Sequence, residues 1–257
     1  MKTALIGYTG FVGSNLAKQF LFTDLYNSKN IGKIKGKKYD LIVCAGTSSE
    51  RWKANQNPDE DWAKIKSLLD NLERVQAKHF VLISTIDVYA NKNKTSESKK
   101  VSLISLAEPY GNHRYKLELS IKKHFNNYTF ARCTQLYGPG LKKNFIFDLL
   151  NNNALDFTHK NTLFQWYHVK NLWKDICIAK AFNIPIINLT SEPISAKVLA
   201  KKVFGINFNN TTDNPPKAFD IQTNYAYFYG SKIPYQYSQN QVVDEVKEFI
   251  KEYKTKK

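Results

Sequence analysis

The sequence predicts an α/β fold, a doubly wound parallel sheet followed by a small α+β C-terminal part, and three observations carry that reading. Short apolar runs alternate with stretches of helical spacing, the pattern of βαβ units whose sheet is covered on both faces. A glycine-rich turn, Gly7-Tyr-Thr-Gly10-Phe-Val-Gly13, separates the first apolar run from the first helical stretch. At 257 residues, 42% hydrophobic and 14% aromatic, the chain can bury a sizeable core, which excludes global disorder.

Taken in order, Ala4 to Ile6 reads as the first strand, and Phe11 to Phe22 as a helix with Val12, Leu16, Phe20 and Leu21 at its apolar positions. Asp24 to Asn27 is a short second strand and Asp40 to Ala45 (DLIVCA) a third. The link between them is too short for a crossover helix, so the sheet is abbreviated there. Lys64 to Gln76 has helical spacing at Ile65, Leu68, Leu69, Leu72 and Val75. His79 to Thr85 is a fourth strand, Tyr110 to Phe125 a long helix, Thr129 to Thr134 a fifth strand and Pro185 to Leu189 a sixth. Asn91 to Ser98 is polar throughout and is expected to be a mobile surface loop. After Gly138-Pro139-Gly140 the alternation weakens. The expected division is therefore a sheet domain over residues 1–140 and a smaller part over 141–257, which returns a strand to the main sheet and ends in an amphipathic helix, Val242 to Tyr253.

Lys and Arg number 38 against 22 Asp and Glu, a formal charge of +16. The lysines are spread from Lys2 to Lys257, with doublets rather than one block. That distribution reads as a solvated surface and gives no footprint for a specific nucleic acid. Cys44, Cys133 and Cys177 lie far apart in apolar stretches with no CxxC, so a reducing compartment is expected and a disulfide framework is not. The five histidines show no metal-ligand spacing. No apolar run reaches the length of a membrane span, and the first residues lead directly into the glycine turn, unlike a secretory leader. The expectation is a cytoplasmic protein without a membrane partner or a metal.

Glycines between a strand and a helix permit a tight turn and let backbone N–H groups approach a pyrophosphate. Gly7, Thr9, Gly10, Phe11, Val12 and Gly13 are therefore the expected cradle of a dinucleotide, and residues 1–140 a Rossmann-like NAD(P)-binding domain. Four further elements follow in order. Cys44-Ala45-Gly46 closes the third strand, and Ser84-Thr85 with Val88-Tyr89 closes the fourth. Tyr110-Gly-Asn-His-Arg114 with Glu118 opens a helix, and Arg132 to Pro139 (RCTQLYGP) follows.

Together these motifs, over roughly the first 200 residues, resemble the extended short-chain dehydrogenase/reductase family, in its branch of sugar-nucleotide epimerases, dehydratases and reductases. The resemblance implies an NAD(P)-dependent oxidoreductase or epimerase that exchanges a hydride with a sugar nucleotide or similar polyol. It implies that Gly7, Gly10 and Gly13 hold the dinucleotide along with Cys44, Ala45 and Gly46, that Thr85 is the catalytic hydroxyl and that Tyr110 is the acid/base. Residues 141–257 would then bind substrate, Asn71 would stand where relatives carry a structural Asn, and the helices near 64–76 and 110–125 would form a homodimer.

The chain departs from the family pattern in ways that bear on chemistry. A free Tyr has a pKa of about 10, so acid/base work at neutral pH calls for a nearby cation to stabilise phenolate. One turn after Tyr110 that cation is Arg114, where the family usually has Lys in YxxxK. Arginine still offers charge and donors to the cofactor ribose, but it stays protonated and cannot relay a proton. Lys116 lies off the Tyr110 face. Ile86-Asp87 stands where dehydratases place Asp-Glu, so paired-carboxylate elimination is incomplete; Asp87 serves as a lone base, contacts a substrate hydroxyl or caps the turn, the last two being the favoured readings. Gln135 stands where relatives often carry Asn, and Lys143 of the Lys142-Lys143 pair could meet a substrate pyrophosphate or simply be solvated.

Asp59-Glu60-Asp61 reads as a helix start that favours the dipole. His113, His159 and His168 lack partners at recognisable spacing. Trp52 and Tyr225-Ala-Tyr-Phe-Tyr229 read as core packing in preference to a pocket lining. Asn27-Ser28-Lys29-Asn30 offers no carboxylate where an NAD site places one and a cation able to meet a 2′-phosphate, so NADP is expected over NAD. The competing reading is a non-catalytic NADP(H)-binding sensor, supported by Arg114 in place of Lys.

Overall fold

Parallel pairing of the apolar runs builds the sheet. In the computed structural model, which describes residues 1–103 and 108–255, β1 (Thr3–Ile6) lies between β2 (Asp24–Tyr26) and β3 (Lys38–Cys44), with Ala4 opposite both Asp24 and Ile42. With β4 (Gln76–Thr85), β6 (Tyr128–Cys133) and β10 (Ile186–Leu189) these form a six-stranded parallel sheet in the order β10-β6-β4-β3-β1-β2. Between β2 and β3 the chain makes only a 3-10 turn, Ile31–Ile34. The strand order therefore changes direction between β1 and β3, the crevice where open α/β sheets bind ligands at their carboxyl ends.

Helices cover both faces of this sheet. Ile65, Leu68 and Leu72 of α3 (Pro58–Leu72) and Leu117 and Ile121 of α4 (Pro109–His124) are buried against Ile42, Cys44, Phe80 and Leu82. Each fully buried Leu, Ile or Phe contributes about 1.5–3 kcal/mol relative to exposure. On α1 (Phe11–Gln19) and α6 (Leu172–Ala181) the packing is aromatic: Phe20 stacks on Trp173 at 4.2 Å and Phe22 meets it edge-on at 5.6 Å. The first helix ends at Gln19, so Leu21, expected on its apolar side, is 93% exposed. The third begins at Pro58, earlier than its apolar spacing indicates, because Pro at the first helical position fixes the backbone and Asp59, Glu60 and Asp61 complement the helix dipole.

The chain forms two compact units, Met1–Ala90 with Lys99–Arg132 and Leu172–Ile187, and Asn91–Ser98 with Cys133–Asn171 and Asn188–Lys257. Among its described residues the second contains three two-stranded pairings. β7 (Gln135–Tyr137) runs parallel to β9 (Trp166–His168), β8 (Leu163–Phe164) antiparallel to β11 (Ile194–Ser195), and β5 (Asn93–Thr95) parallel to β12 (Asp220–Ile221). Helices α2 (Arg51–Gln56), α5 (Phe145–Asn151), α7 (Ala196–Leu199) and α8 (Gln239–Thr255) complete the elements named here, and α8 buries Val242, Val243, Val246, Phe249 and Ile250.

Two expectations are corrected. The polar stretch 91–98 is not a loose loop: Asn93–Thr95 is a paired strand, and Thr95 is buried. Glu97 accepts hydrogen bonds from Asn188 N at 2.7 Å, Thr223 Oγ1 at 2.7 Å and Asn224 N at 2.9 Å. Polar side chains here satisfy buried backbone groups, which composition alone does not reveal. Trp52 and Tyr227, expected in the core, are 63% and 84% exposed; in the Ala226–Tyr229 turn it is Ala226 that is buried. No helix among the described residues is long and apolar enough to cross a membrane.

Candidate active site

Close backbone approach defines the glycine loop. Gly7 has φ +86°, and a Cβ on it would lie 2.4 Å from Ala45 O. A Cβ on Gly13 would lie 2.0 Å from Gly7 O. Both glycines are thus required by the fold itself: Ala45 N donates to Ile6 O at 2.8 Å where the ends of β1 and β3 meet, which brings the Ala45-Gly46 backbone against Gly7, and a Cβ on Gly46 would lie 3.0 Å from Ile6 Cγ2. Gly10 differs. Its φ is −78°, and a Cβ would meet only Gly7 O at 3.4 Å, so the protein's own packing does not demand glycine there. Gly10 is also the N-cap of α1, with no side-chain cap and no acidic residue in the first turn. The N–H groups of Phe11, Val12 and Gly13 have no partner within the helix and form an anion cradle at a positive dipole end. These features fit a dinucleotide pyrophosphate.

Beyond β2, Gly7 N donates to Tyr26 O at 2.7 Å, and Asn27 organises the next turn: its Oδ1 accepts from Lys29 N at 2.9 Å and its Nδ2 donates to Tyr8 OH at 3.3 Å. Ser28 and Lys29 are exposed on that turn. Cys44 contributes backbone only, because its thiol is in the core and burial pushes its pKa up to about 11.

At the end of β4, Thr85 Oγ1 accepts from Asp87 N at 3.1 Å and faces Asp87 Oδ2 at 3.4 Å, so Asp87 closes the turn that presents the hydroxyl. Tyr110 opens α4 and is 8% exposed. Arg114, one turn on, places its guanidinium over the Tyr110 ring at 4.4 Å. It is fixed there from behind. Its Nη1 and Nη2 donate to Asp61 Oδ2 and Oδ1, each at 2.9 Å, and Nη2 also donates to Ser48 O at 2.8 Å. His113 Nδ1 lies 2.9 Å from the same Asp61 Oδ2. Arg114 Nε is buried without a hydrogen-bond partner among the described residues.

The electrostatics follow from this arrangement. Burial pushes the Tyr110 phenol above its ordinary value; the attraction of Arg114 opposes that shift, and the Asp87 and Asp61 charges add to it. Asp61 partly neutralises Arg114, and the phenol stays protonated at neutral pH. For Asp61 burial works upward, but the hydrogen bonds and charges of Arg114 and His113 win and hold its carboxyl below the usual range. Asp61 thus both stands in the acidic first turn of α3 and holds Arg114 and His113 through its carboxylate.

A second buried ion pair lies beneath. Arg132 Nε and Nη2 donate to Glu118 at 3.0 and 2.5 Å, its Nη1 donates to Tyr89 OH at 2.8 Å, and Ser84 Oγ donates to Glu118 Oε1 at 2.6 Å. This set ties β4, α4 and β6 together through the motif residues around Thr85 and Tyr110. In the second unit, Gln135 Oε1 accepts from Gln165 N at 3.1 Å and Lys143 is exposed. Asn71 donates to Ser67 O within its own helix, Lys116 lies over the Trp62 ring at 5.3 Å, and His168 is buried, its pKa pushed down to about 3 by burial.

A family model described as the NAD dependent epimerase/dehydratase family matches residues 18–176, more than half of the chain; it begins within α1, after the glycine loop. No curated protein matches significantly. Solved structures share the fold. A dTDP-4-dehydrorhamnose reductase from Bacillus anthracis in complex with NADP is 16% identical with a TM-score of 0.75, over 98% of this chain and 99% of that one. A UDP-N-acetylglucosamine 4-epimerase from Methanobrevibacter ruminantium in complex with UDP-N-acetylmuramic acid is 15% identical with a TM-score of 0.75, over 100% and 99%. A UDP-glucose 4-epimerase from Thermotoga maritima with UDP-glucose is 13% identical with a TM-score of 0.67, over 100% and 99%.

Two outcomes are expected. Gly10→Ala should leave stability within about 0.5 kcal/mol of the native protein yet weaken NADPH binding about tenfold or more, read by nicotinamide fluorescence; unchanged affinity would mean the loop is only a turn. Asp61→Asn should cost about 3 kcal/mol at neutral pH, since it leaves Arg114 buried without its counter-charge. Because the folded carboxyl of Asp61 has the lowered pKa, its contribution is complete above the ordinary carboxylate value and is lost as pH falls through the folded one. Urea unfolding should therefore show the gap narrowing below about pH 4; a gap that stays constant into acid contradicts this.

Proposed function

The chain belongs to the NAD-dependent epimerase/dehydratase family, and from that premise we propose an NADP(H)-dependent oxidoreductase acting on the carbonyl of a sugar nucleotide or similar polyol. The observation that carries this reading is Tyr110, buried beside the Arg114–Asp61 pair, where burial pushes its phenol above the ordinary value. A protonated phenol is the acid that carbonyl reduction needs. When bound, the cofactor supplies the hydride.

In this reading the first turn of α1 holds the pyrophosphate, and Lys29 with Asn27 and Ser28 meets the adenosine ribose and its 2′-phosphate. Arg114 Nε, the donor left open by Asp61 and Ser48, serves the nicotinamide ribose. Tyr110 gives its proton to the substrate oxygen as the carbonyl carbon is reduced, and Thr85 donates a hydrogen bond to the same oxygen. The negative charge left on Tyr110 then faces Arg114, whose position is already fixed and needs no reorganisation. Arg114 does not itself relay a proton, so Tyr110 is reprotonated by another route. Asp87 is a contact for a substrate hydroxyl, and substrate contacts by Gln135 and Lys143, with residues 141–257 as the substrate-binding part, belong to the same proposal. Solved relatives in fold with NADP or with UDP-linked sugars bound support the ligand classes.

A non-catalytic NADP(H) sensor is favoured by one observation: both terminal nitrogens of Arg114 are occupied by Asp61, leaving no proton path through that residue. Turnover separates the two. With NADPH and a panel of nucleotide-linked ketosugars, Tyr110→Phe should lower kcat by about 10²–10⁴ while NADPH affinity stays within about twofold, and NADPH should bind more tightly than NADH at equal ionic strength. A panel hit that Tyr110→Phe does not diminish would reject this chemistry; NADPH binding with no turnover by the native protein would select the sensor.

A further inference from the structure

The start of α4 is held by another helix. Glu108 is the N-cap of α4 but caps nothing with its side chain, and Pro109 follows it. Tyr110 N–H, a group that an N-cap side chain ordinarily satisfies, donates instead to Asn55 Oδ1 of α2 at 2.9 Å. Asn55 Nδ2 in turn donates to Glu108 Oε2 at 3.0 Å. Arg51, one turn earlier on the same face of α2, grips Glu108 with two bonds, Nε to Oε2 at 2.7 Å and Nη2 to Oε1 at 2.6 Å. Its Nη1 faces Asp87 Oδ1 at 3.4 Å, and Asp87 is bonded to Thr85.

Resting on the reading of Tyr110 as proton donor and Thr85 as its partner hydroxyl, we propose that Arg51 and Asn55 are positioning residues that set these two groups in register, Arg51 by spanning Asp87 and Glu108 and Asn55 by fixing the Tyr110 backbone. A surface ion pair by itself is worth little. This one is bidentate, shares its guanidinium between two carboxylates, and is joined through Asn55 to the backbone of Tyr110. The planar fork is what allows one side chain to serve both segments, and a lysine offers only a point charge. Among the described residues, the side chains of Arg51 and Asn55 bond to Glu108, Asp87 and the Tyr110 backbone, away from the glycine loop and the Asn27–Lys29 turn, so cofactor affinity is expected to be independent of them.

Misplacement of a reacting group by about 1 Å can cost about 10²-fold in rate. Arg51→Met should therefore lower kcat by about 10–10²-fold, with KM and NADPH affinity within about twofold. Arg51→Lys should recover part of the loss, and Asn55→Ala should show a smaller one. The activity-independent readout is NMR of isotope-labelled tyrosine, with the Tyr110 signal assigned by its disappearance in Tyr110→Phe. That signal should shift or broaden in Arg51→Met and move back in Arg51→Lys. If Arg51→Met does not fold, Glu108→Gln, which alters a half-exposed side chain, carries the same expectations.

If the native protein turns over no sugar-nucleotide carbonyl, the catalytic reading fails and the clamp stands or falls on the Tyr110 signal alone. A native Tyr110 signal in Arg51→Met overturns the proposal, whether kcat falls or not. A raised KM with native kcat also overturns it, because Arg51 would then be holding substrate.

Discussion

The Asp61–Arg114 ion pair is the constraint on which the site depends. A guanidinium buried to 3% exposure is tolerated only because both oxygens of an equally buried carboxylate face it, with Ser48 O taking a further donor. That demand fixes α3 against α4 at one level and leaves the guanidinium 4.4 Å from the centre of the Tyr110 ring. It also sets the chemistry. A lysine free to swing toward the phenol would pull its pKa down, whereas a guanidinium already shared with Asp61 leaves burial as the larger influence. The candidate site is consequently organised around a buried phenol over a cation that Asp61 and Ser48 already hold in place.

The rest of the first unit serves that geometry at increasing distance. Glu118 and Arg132 neutralise each other under α4 and engage Ser84 and Tyr89 on either side of Thr85. Because β2 and β3 lie on opposite sides of β1, the crevice falls between β1 and β3, where two glycines are required by backbone contact and the third leaves room at the helix end. The glycine loop and the buried phenol thus arise from two separate constraints, one of steric approach and one of charge burial.

How much of this could be read from the residues depends on the range of each interaction. The glycine turn, the DLIVCA strand and the Tyr110 helix were legible because their signals are local: alternation, apolar spacing and a motif within one turn. Asp61 was not, because its partner Arg114 is 53 residues away and its neighbours Asp59 and Glu60 make a helix start a sufficient explanation. Arg51 and Glu108, 57 residues apart, were hidden in the same way. Residues 91–98 misled for the opposite reason, since polarity suggests solvent unless the buried backbone groups that Glu97 satisfies are known. The alternation of small pairings in the second unit carries no period long enough to read.

The most direct test of this account is the ionisation of Tyr110 itself. Tyrosinate absorbance followed against pH in the native protein, with the Tyr110→Phe titration subtracted, isolates that one phenol. The account predicts that the difference signal is absent at neutral pH and rises only above the ordinary tyrosine value of about 10. A phenolate signal already present near neutral pH would contradict it, because Arg114 would then outweigh burial and Tyr110 would be a base and not the acid.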